Sequence, residues 1–223
     1  MTLSDLSSDL SMADLPVDGA DLAAFVAGKL CHDFISPAGA ISSGLDLLKD
    51  PTAQDMRDDA MGLIEASAKK MVALVAFARV AFGASTSAER FSGAELAELV
   101  SGLTEGGRAS LDWRADGGDY SKAQARALVN LAYLTLAALP SGGAATITTE
   151  RGEGLKISGV AEGARARLKP EAVAGLSGRP LSEGLPGQWV QPYWLWLTAN
   201  DAGGSLDVEA EDGRVALIIH MPN

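Results

Sequence analysis

Leu30-Cys31-His32-Asp33-Phe34-Ile35-Ser36-Pro37 holds one of only two histidines in a chain of 223 residues. Apolar residues in and after it fall at helical spacing: Leu30, Phe34, Pro37, Ile41, Leu45 and Leu48. At about 100° per residue these six lie in a stripe roughly 80° wide. His32 points about 180° from the centre of that stripe, and Ser36, Gly39 and Ser43 fall within roughly 40° of it. The spacing predicts a helix with a buried seam on one side. The other side carries an exposed imidazole above a strip of small residues.

Most exposed histidines are ordinary solvated ones. Three details set His32 apart. Asp33 follows directly and can accept a hydrogen bond from a nearby imidazole. Pro37 stands inside an otherwise strong helical pattern, where it deprives the Asp33 carbonyl of its helical donor and favours a bend. The Ser and Gly strip leaves room for another protein to approach closely.

Working outward, Asp18 or Asp21 can cap a helix running from about Leu22 to Lys49. Asp50-Pro51-Thr52 breaks it, with Pro51 fitting the first turn of a second helix. That helix repeats apolar residues at Met56, Ala60, Leu63, Ile64, Ala68, Met71, Val72, Val75, Ala78 and Phe82, and Gly83 can end it. Two long helices joined by a short turn pack antiparallel. A lone hairpin leaves one flank of its apolar seam uncovered, and a second copy related by a two-fold axis completes a four-helix bundle. The expected organisation is a flexible N-terminus over 1–17, the helical hairpin over 18–84, a Ser/Thr/Ala linker at 85–89, and a second domain over 89–223.

In the second domain, Ala94 to Leu103 and Ser121 or Lys122 to Leu139 read as helices. Ser110 to Arg114 alternates as a strand. Ala145–Thr149 and Leu155–Ser158 read as a hairpin. Pro170–Leu176 and Gln191–Ala202 read as helices, and Ser205–Glu209 and Val215–His220 as strands. Gly203-Gly204 reads as a helix end and hairpin entry. His220 reads as a core or edge histidine, and Arg165, Arg167 and Lys169 as a small basic cluster on a loop. This order suggests an α+β sandwich with helices on one face of one sheet.

The chain is 47% hydrophobic, enough for a sizeable core, and its formal net charge is −11. That balance argues against nucleic acid or an anionic membrane as the main partner. The single cysteine excludes an intrachain disulfide and suits a reducing cytoplasm. Cys31 and His32 diverge by about 100° on a helix and make a poor metal pair. Neither a signal peptide nor an apolar run of about 20 residues stands out, so a soluble cytoplasmic protein is the expectation.

His32-Asp33-Phe34-Ile35-Ser36-Pro37 resembles the H-box of sensor histidine kinases, where an acidic residue follows the histidine and a proline stands five positions on. The same stretch resembles the ChpT-type histidine phosphotransferases of alphaproteobacteria. So do Gly44-Leu45-Asp46-Leu47-Leu48, Met56-Arg57-Asp58-Asp59-Ala60-Met61, Arg79-Val80-Ala81-Phe82-Gly83-Ala84 and Ala164-Arg165-Ala166-Arg167-Leu168-Lys169-Pro170-Glu171. The resemblance implies a dimeric four-helix bundle followed by a domain similar to the ATP-binding domain of histidine kinases. Asn130 stands where the kinase asparagine box is, but the position of its second, magnesium-holding asparagine is Leu134, which has no oxygen for a hard cation. The region of the kinase Asp-x-Gly-x-Gly motif is Ile157-Ser158-Gly159-Val160-Ala161-Glu162-Gly163-Ala164, without the aspartate. Leu185-Pro186-Gly187-Gln188-Trp189-Val190-Gln191-Pro192 stands at the phosphate loop, and Trp189 and two prolines do not readily form a nest of N–H groups. The expectation is a kept fold and lost ATP binding.

By that resemblance His32 carries a phosphoryl group between receiver domains. Asp33 orients the ring or accepts its Nδ1 proton, and Ser36, Gly39 and Ser43 meet the receiver. No cofactor or metal is expected on this chain; Mg2+ would sit in the partner receiver. The implied donor is the receiver of a CckA-like hybrid kinase. The implied acceptors are CtrA-like and CpdR-like response regulators of cell-cycle control. Two other readings stay open: a divergent ATP-dependent histidine kinase, and a non-catalytic dimeric scaffold for response regulators.

Overall fold

Asp18 opens the first helix, its carboxylate accepting from the backbone N–H groups of Ala20 (2.8 Å) and Asp21 (2.9 Å). In the computed structural model, which describes residues 17–83, 90–104 and 106–222, this helix, α1, spans Gly19–Lys49 and continues through a buried Pro37. The expected flexible N-terminus lies outside the described residues except for Val17, and so does the linker at 85–89. Asp50 caps the C-terminus of α1. Its carboxylate accepts from the Thr52 N–H (2.8 Å) and hydroxyl (2.6 Å), which closes a local turn. Pro51 therefore sits in that turn and not in the first turn of the next helix. A single 3-10 turn, Gln54–Met56, leads into α2, Arg57–Ala81.

The buried residues of α1 are Leu22, Lys29, Pro37 and Gly44. Their mean direction is rotated by roughly 80° from the stripe expected from hydropathy. Leu45, expected in the seam, is exposed. Gly44 explains the rotation: a Cβ there would lie 2.6 Å from Ile64 Cγ1 and 3.1 Å from the Ala60 carbonyl oxygen. The two helices approach at that glycine, a contact invisible to a hydropathy count. On α2, Ala60, Ser67, Phe77, Ala78, Val80 and Ala81 are buried, whereas Met56, Leu63, Val72 and Val75, expected in the core, are exposed in the single chain.

After α2 come β1 (Arg90–Ser92), α3 (Gly93–Thr104), β2 (Ala109–Arg114), β3 (Asp119–Ser121) and α4 (Lys122–Ala137). They are followed by β4 (Gly143–Arg151), β5 (Gly154–Glu162), α5 (Pro170–Leu176), α6 (Pro186–Asp201), β6 (Ser205–Glu211) and β7 (Arg214–Pro222). The main sheet has the order β2-β4-β5-β7-β6, parallel only between β2 and β4; β1 and β3 form a separate ribbon. Along β5, Leu155, Ile157 and Ala161 are buried and alternate with more open positions; on β7 Val215, Leu217 and Ile219 are buried on the same period, with Ala216 buried between the first two. Their buried face packs on α4, which carries a Ser121–Gln124 capping box and is buried along most of its length. His220 lies exposed on β7, an interior strand, so it is neither a core nor an edge residue.

The hairpin is fastened to this domain by aromatic side chains. Leu22 packs with fully buried Trp189, Val190 and Tyr193 of α6, and Phe25 meets Trp189 edge-on with centroids 5.9 Å apart. Phe77 of α2 packs with its ring tilted against Tyr133 of α4 (5.4 Å), and Phe82 likewise against Trp194 (5.8 Å). A buried leucine contributes about 2 kcal/mol and each aromatic pair about 1 kcal/mol beyond its area. The exposed Lys49–Asp46 pair at 3.9 Å adds only a few tenths of a kcal/mol. Apolar docking, not surface charge, fixes the hairpin and hence the position of His32.

Candidate functional site

His32 projects from the middle of α1 with its side chain 87% exposed. Ser36, Gly39 and Ser43 are exposed along the same helix, and no heavy atom lies within 4 Å of where a Gly39 Cβ would sit. The structure thus brings the expected face together: an open imidazole beside a smooth strip. Asp33 Oδ1 lies 3.3 Å from His32 Nδ1. A carboxylate can only accept, so this contact puts the proton of a neutral imidazole on Nδ1 and leaves the Nε2 lone pair facing solvent.

The other Asp33 oxygen is held from behind. Lys29 Nζ donates to Asp33 Oδ2 at 2.7 Å and to the Tyr133 hydroxyl at 3.3 Å, and lies 5.2 Å from the centre of the Tyr133 ring. Its side chain is only 7% exposed. Burial lowers the Lys29 pKa, but Tyr133 and the bonded Asp33 carboxylate together outweigh burial and raise it, so the ammonium stays charged. Neither Lys29 nor Tyr133 stands out in the sequence. Lys29 has a local signal, because it lies four residues before Asp33 on the same helix. Tyr133 has none, being 104 residues away along the chain.

Lys29 and Tyr133 also border a cleft of about 220 Å3, together with Leu134, Arg167, Lys169 and Gln191. Two members of the basic loop cluster therefore face a hollow of the second domain, while Arg165 is an exposed loop residue outside that lining. Leu134 offers carbon there. Asn130 is fully buried and committed elsewhere: its amide nitrogen donates to the carbonyls of Ala81 and Arg126, both at 2.8 Å, and its oxygen accepts from Gln191 at 3.0 Å. Leu185–Pro192, compared from sequence with the kinase phosphate loop, forms the N-cap and first turns of α6. Pro186 stands at the helix start, and buried Trp189 donates to the Arg179 carbonyl (2.8 Å). Gly159, in the region compared with the kinase Asp-x-Gly-x-Gly motif, lies within β5 against Thr135 and Leu131, where there is no space for a Cβ. Among the described residues no group of three or more His, Cys, Asp or Glu could hold a metal ion.

Residues 93–214, more than half of the chain, match the family model of the histidine phosphotransferase C-terminal domain. The chain belongs to the histidine phosphotransferase family. It is 30% identical over 200 residues to the protein phosphotransferase ChpT of Brucella abortus (strain 2308), covering 88% of this chain and 94% of that protein. The solved structure of a bacterial phosphotransferase superposes with a TM-score of 0.81 at 28% identity, covering 92% of this chain and 99% of that one. The histidine kinase domain of the blue-light-activated kinase from Erythrobacter litoralis EL346 is more distant, with a TM-score of 0.47 and 14% identity over 84% of this chain and 95% of that one. Histidine phosphotransfer is accordingly the activity of this chain, and its architecture is a helical hairpin followed by a histidine-kinase-ATPase-like α/β domain. No described helix is long and apolar enough to cross a membrane.

Proposed function

We propose that His32 is the residue that carries the phosphoryl group, taking it from the aspartyl phosphate of a hybrid histidine kinase's receiver and passing it to the receiver aspartate of a response regulator. The observation that carries this is the pairing of an 87% exposed imidazole with an Nδ1 held 3.3 Å from Asp33. Among the described residues the His220 ring has no such partner. The Nε2 lone pair attacks phosphorus in line. The N–P bond forms as the acyl P–O bond breaks, and the electron pair leaves with the donor carboxylate. The Nδ1 proton stays in place, and Asp33 offsets the positive charge on the phosphorylated ring. In the second half the acceptor carboxylate attacks phosphorus and the N–P electrons return to Nε2. Positioning and charge neutralisation are what such a transfer needs. The magnesium and cationic side chain belong to the receiver's own acidic pocket.

Ser36, Gly39 and Ser43 form the docking strip, since small exposed residues let a receiver helix approach closely. The protein works as a homodimer in the cytoplasm. Met61, Ala68, Val72 and Val75 fall within roughly 60° of arc on α2 and leave an apolar flank in the single chain, with Val72 69% exposed. A second hairpin covers that flank and completes a four-helix bundle. CckA-like donors and CtrA-like or CpdR-like acceptors are the partners that fit this reading.

A label-transfer assay tests it. The protein is incubated with radiolabelled ATP and magnesium, alone and with a hybrid kinase that carries a receiver. Label that appears only with the kinase, and is lost in His32→Ala, supports the reading. Label from ATP alone makes the protein a kinase. A His32→Ala protein that still accepts label moves the site elsewhere.

A further inference from the structure

We propose that Lys29 is a positioning residue for phosphotransfer at His32, held in place by Tyr133 of the second domain. This rests on the assignment of His32 as the phosphoryl carrier. Tyr133, Lys29, Asp33 and His32 form one line of contacts: 3.3 Å from Lys29 Nζ to the Tyr133 hydroxyl, 2.7 Å from Nζ to Asp33 Oδ2, and 3.3 Å from Asp33 Oδ1 to His32 Nδ1. The line joins the hairpin to α4 and ends at the imidazole.

The position of Lys29 is anomalous. The other buried residues of α1 are Leu22, Pro37 and Gly44, all apolar or small. A lysine in that row must have its ammonium desolvated, and an apolar side chain of similar volume would serve packing at least as well. What lysine supplies and an apolar residue does not is a donor to Asp33. Two consequences follow for His32. First, Asp33 is gripped at one oxygen, so its other oxygen stays aimed at Nδ1 and keeps Nε2 as the free nucleophile. A carboxylate on a helix surface without that grip would sample several rotamers. Second, the ammonium balances the Asp33 charge. An unbalanced carboxylate beside His32 would repel the anionic phosphoryl group at the moment of attack. Tyr133 contributes by fixing Lys29, and is itself set by packing against Phe77 at 5.4 Å. The second domain, with Leu134 in its cleft, thus still serves the transfer by holding the imidazole of the hairpin in its reactive tautomer.

The test uses the full chain labelled with 15N-histidine, whose two imidazoles are separable, with His220 as internal control. At pH 8 the ring 15N shifts report the tautomer of each neutral histidine. Wild-type His32 is expected mainly as the Nδ1–H tautomer. Lys29→Met is expected to shift the ratio towards Nε2–H by roughly threefold or more, Tyr133→Phe by less, and Lys29→Arg hardly at all, with His220 unchanged throughout. Single-turnover transfer from a phosphorylated receiver should slow by roughly tenfold in Lys29→Met at unchanged half-saturating receiver concentration. An unaltered His32 tautomer in Lys29→Met overturns the proposal, as does slowing that comes only through weaker receiver binding. If Lys29→Met does not fold, the Tyr133→Phe and Lys29→Arg pair carries the same comparison. A wild-type protein that takes no label at His32 would sink the carrier assignment itself, and the tautomer measurement still reads whether Lys29 sets the ring.

Discussion

The side-chain amide of Asn130 donates to the carbonyl of Ala81, the last residue of α2, at 2.8 Å. Trp194 Nε1 reaches the same carbonyl at 2.9 Å. A helix end that would otherwise leave buried carbonyls unpaired is thereby stitched to α4 and α6 at once. Asn130, compared from sequence with the kinase asparagine box, serves here as a fastener between the hairpin and the α/β domain.

Asn130→Ala should therefore act on stability. It removes the donor to the Ala81 and Arg126 carbonyls and leaves the Gln191 amide without its acceptor in a fully buried place. A loss of about 3 kcal/mol is expected, read as a lower urea midpoint at unchanged slope. A change under about 0.5 kcal/mol, within the range of ordinary surface substitutions, would mean that the amide is not a fastener.

Two glycines of α1 separate packing from docking. Gly44→Ala places a Cβ 2.6 Å from Ile64 Cγ1 and 3.1 Å from the Ala60 carbonyl oxygen, so the helices must part. Overpacking of this kind costs about 1–3 kcal/mol, against a gain of up to about 1 kcal/mol in helix propensity; the thermal midpoint should fall. Gly39→Ala meets nothing within 4 Å, so the propensity gain stands alone and the midpoint should rise. If Gly39 belongs to the docking strip, the same substitution weakens receiver binding while stabilising the fold. Equal midpoints for the two variants would refute the close approach at Gly44.

The Asp116–Arg151 pair gives a pH prediction. Burial raises the Asp116 carboxyl, but hydrogen bonds from Arg151 and from the Gly118 N–H, and the guanidinium charge, together lower it further, so the net shift is below the ordinary carboxylate value. A depressed carboxyl contributes stability above its unfolded pKa and loses it as pH falls through the folded value. The stability difference between wild type and Asp116→Asn should therefore be full at about pH 6–7 and shrink below about pH 4. Water reaches both partners, so the pair is worth only about 0.5 kcal/mol. Urea titrations at about pH 7 and about pH 3, on either side of that window, check it; a difference that grows towards acid would reverse the assignment.

The strongest sequence signals were those carried by local chemistry. Asp18, Ser121 and Pro170 mark helix starts through their own caps or ring geometry, and α5 matches its expected span residue for residue. The exposed strip of His32, Ser36, Gly39 and Ser43 follows from helix periodicity alone. What escaped depends on who packs against whom. The seam of α1 turns towards Gly44 and Lys29 because α2, α6 and Tyr133 of α4 lie on that side, and a hydropathy stripe counts neither glycine nor lysine as seam. Leu185–Pro192 looks like a broken loop because it carries two prolines, yet Pro186 suits a helix start and Pro192 is buried inside α6. Tyr133 could not be found from local sequence, since its part in the site exists only through the fold.

The apolar flank of α2 gives the last prediction. Val72 and Val75 point away from the chain's own core, with Val72 69% exposed, and Leu45 on α1 and Met61 on α2 are exposed as well. Monomeric surfaces rarely keep such a row of aliphatic side chains on one long helix unless another surface covers it. A two-fold pairing of hairpins would bury the row against its own copy, so each substitution would count twice. A Val72→Glu/Val75→Glu variant places four carboxylates in the seam of a dimer and should shift sedimentation from twice the chain mass to the single mass at micromolar concentration. Its far-ultraviolet circular dichroism should keep the helical signal, because neither side chain is part of the chain's own core. A wild-type protein that sediments as a monomer at that concentration rules out the pairing, and a double variant that stays dimeric moves the interface to another face.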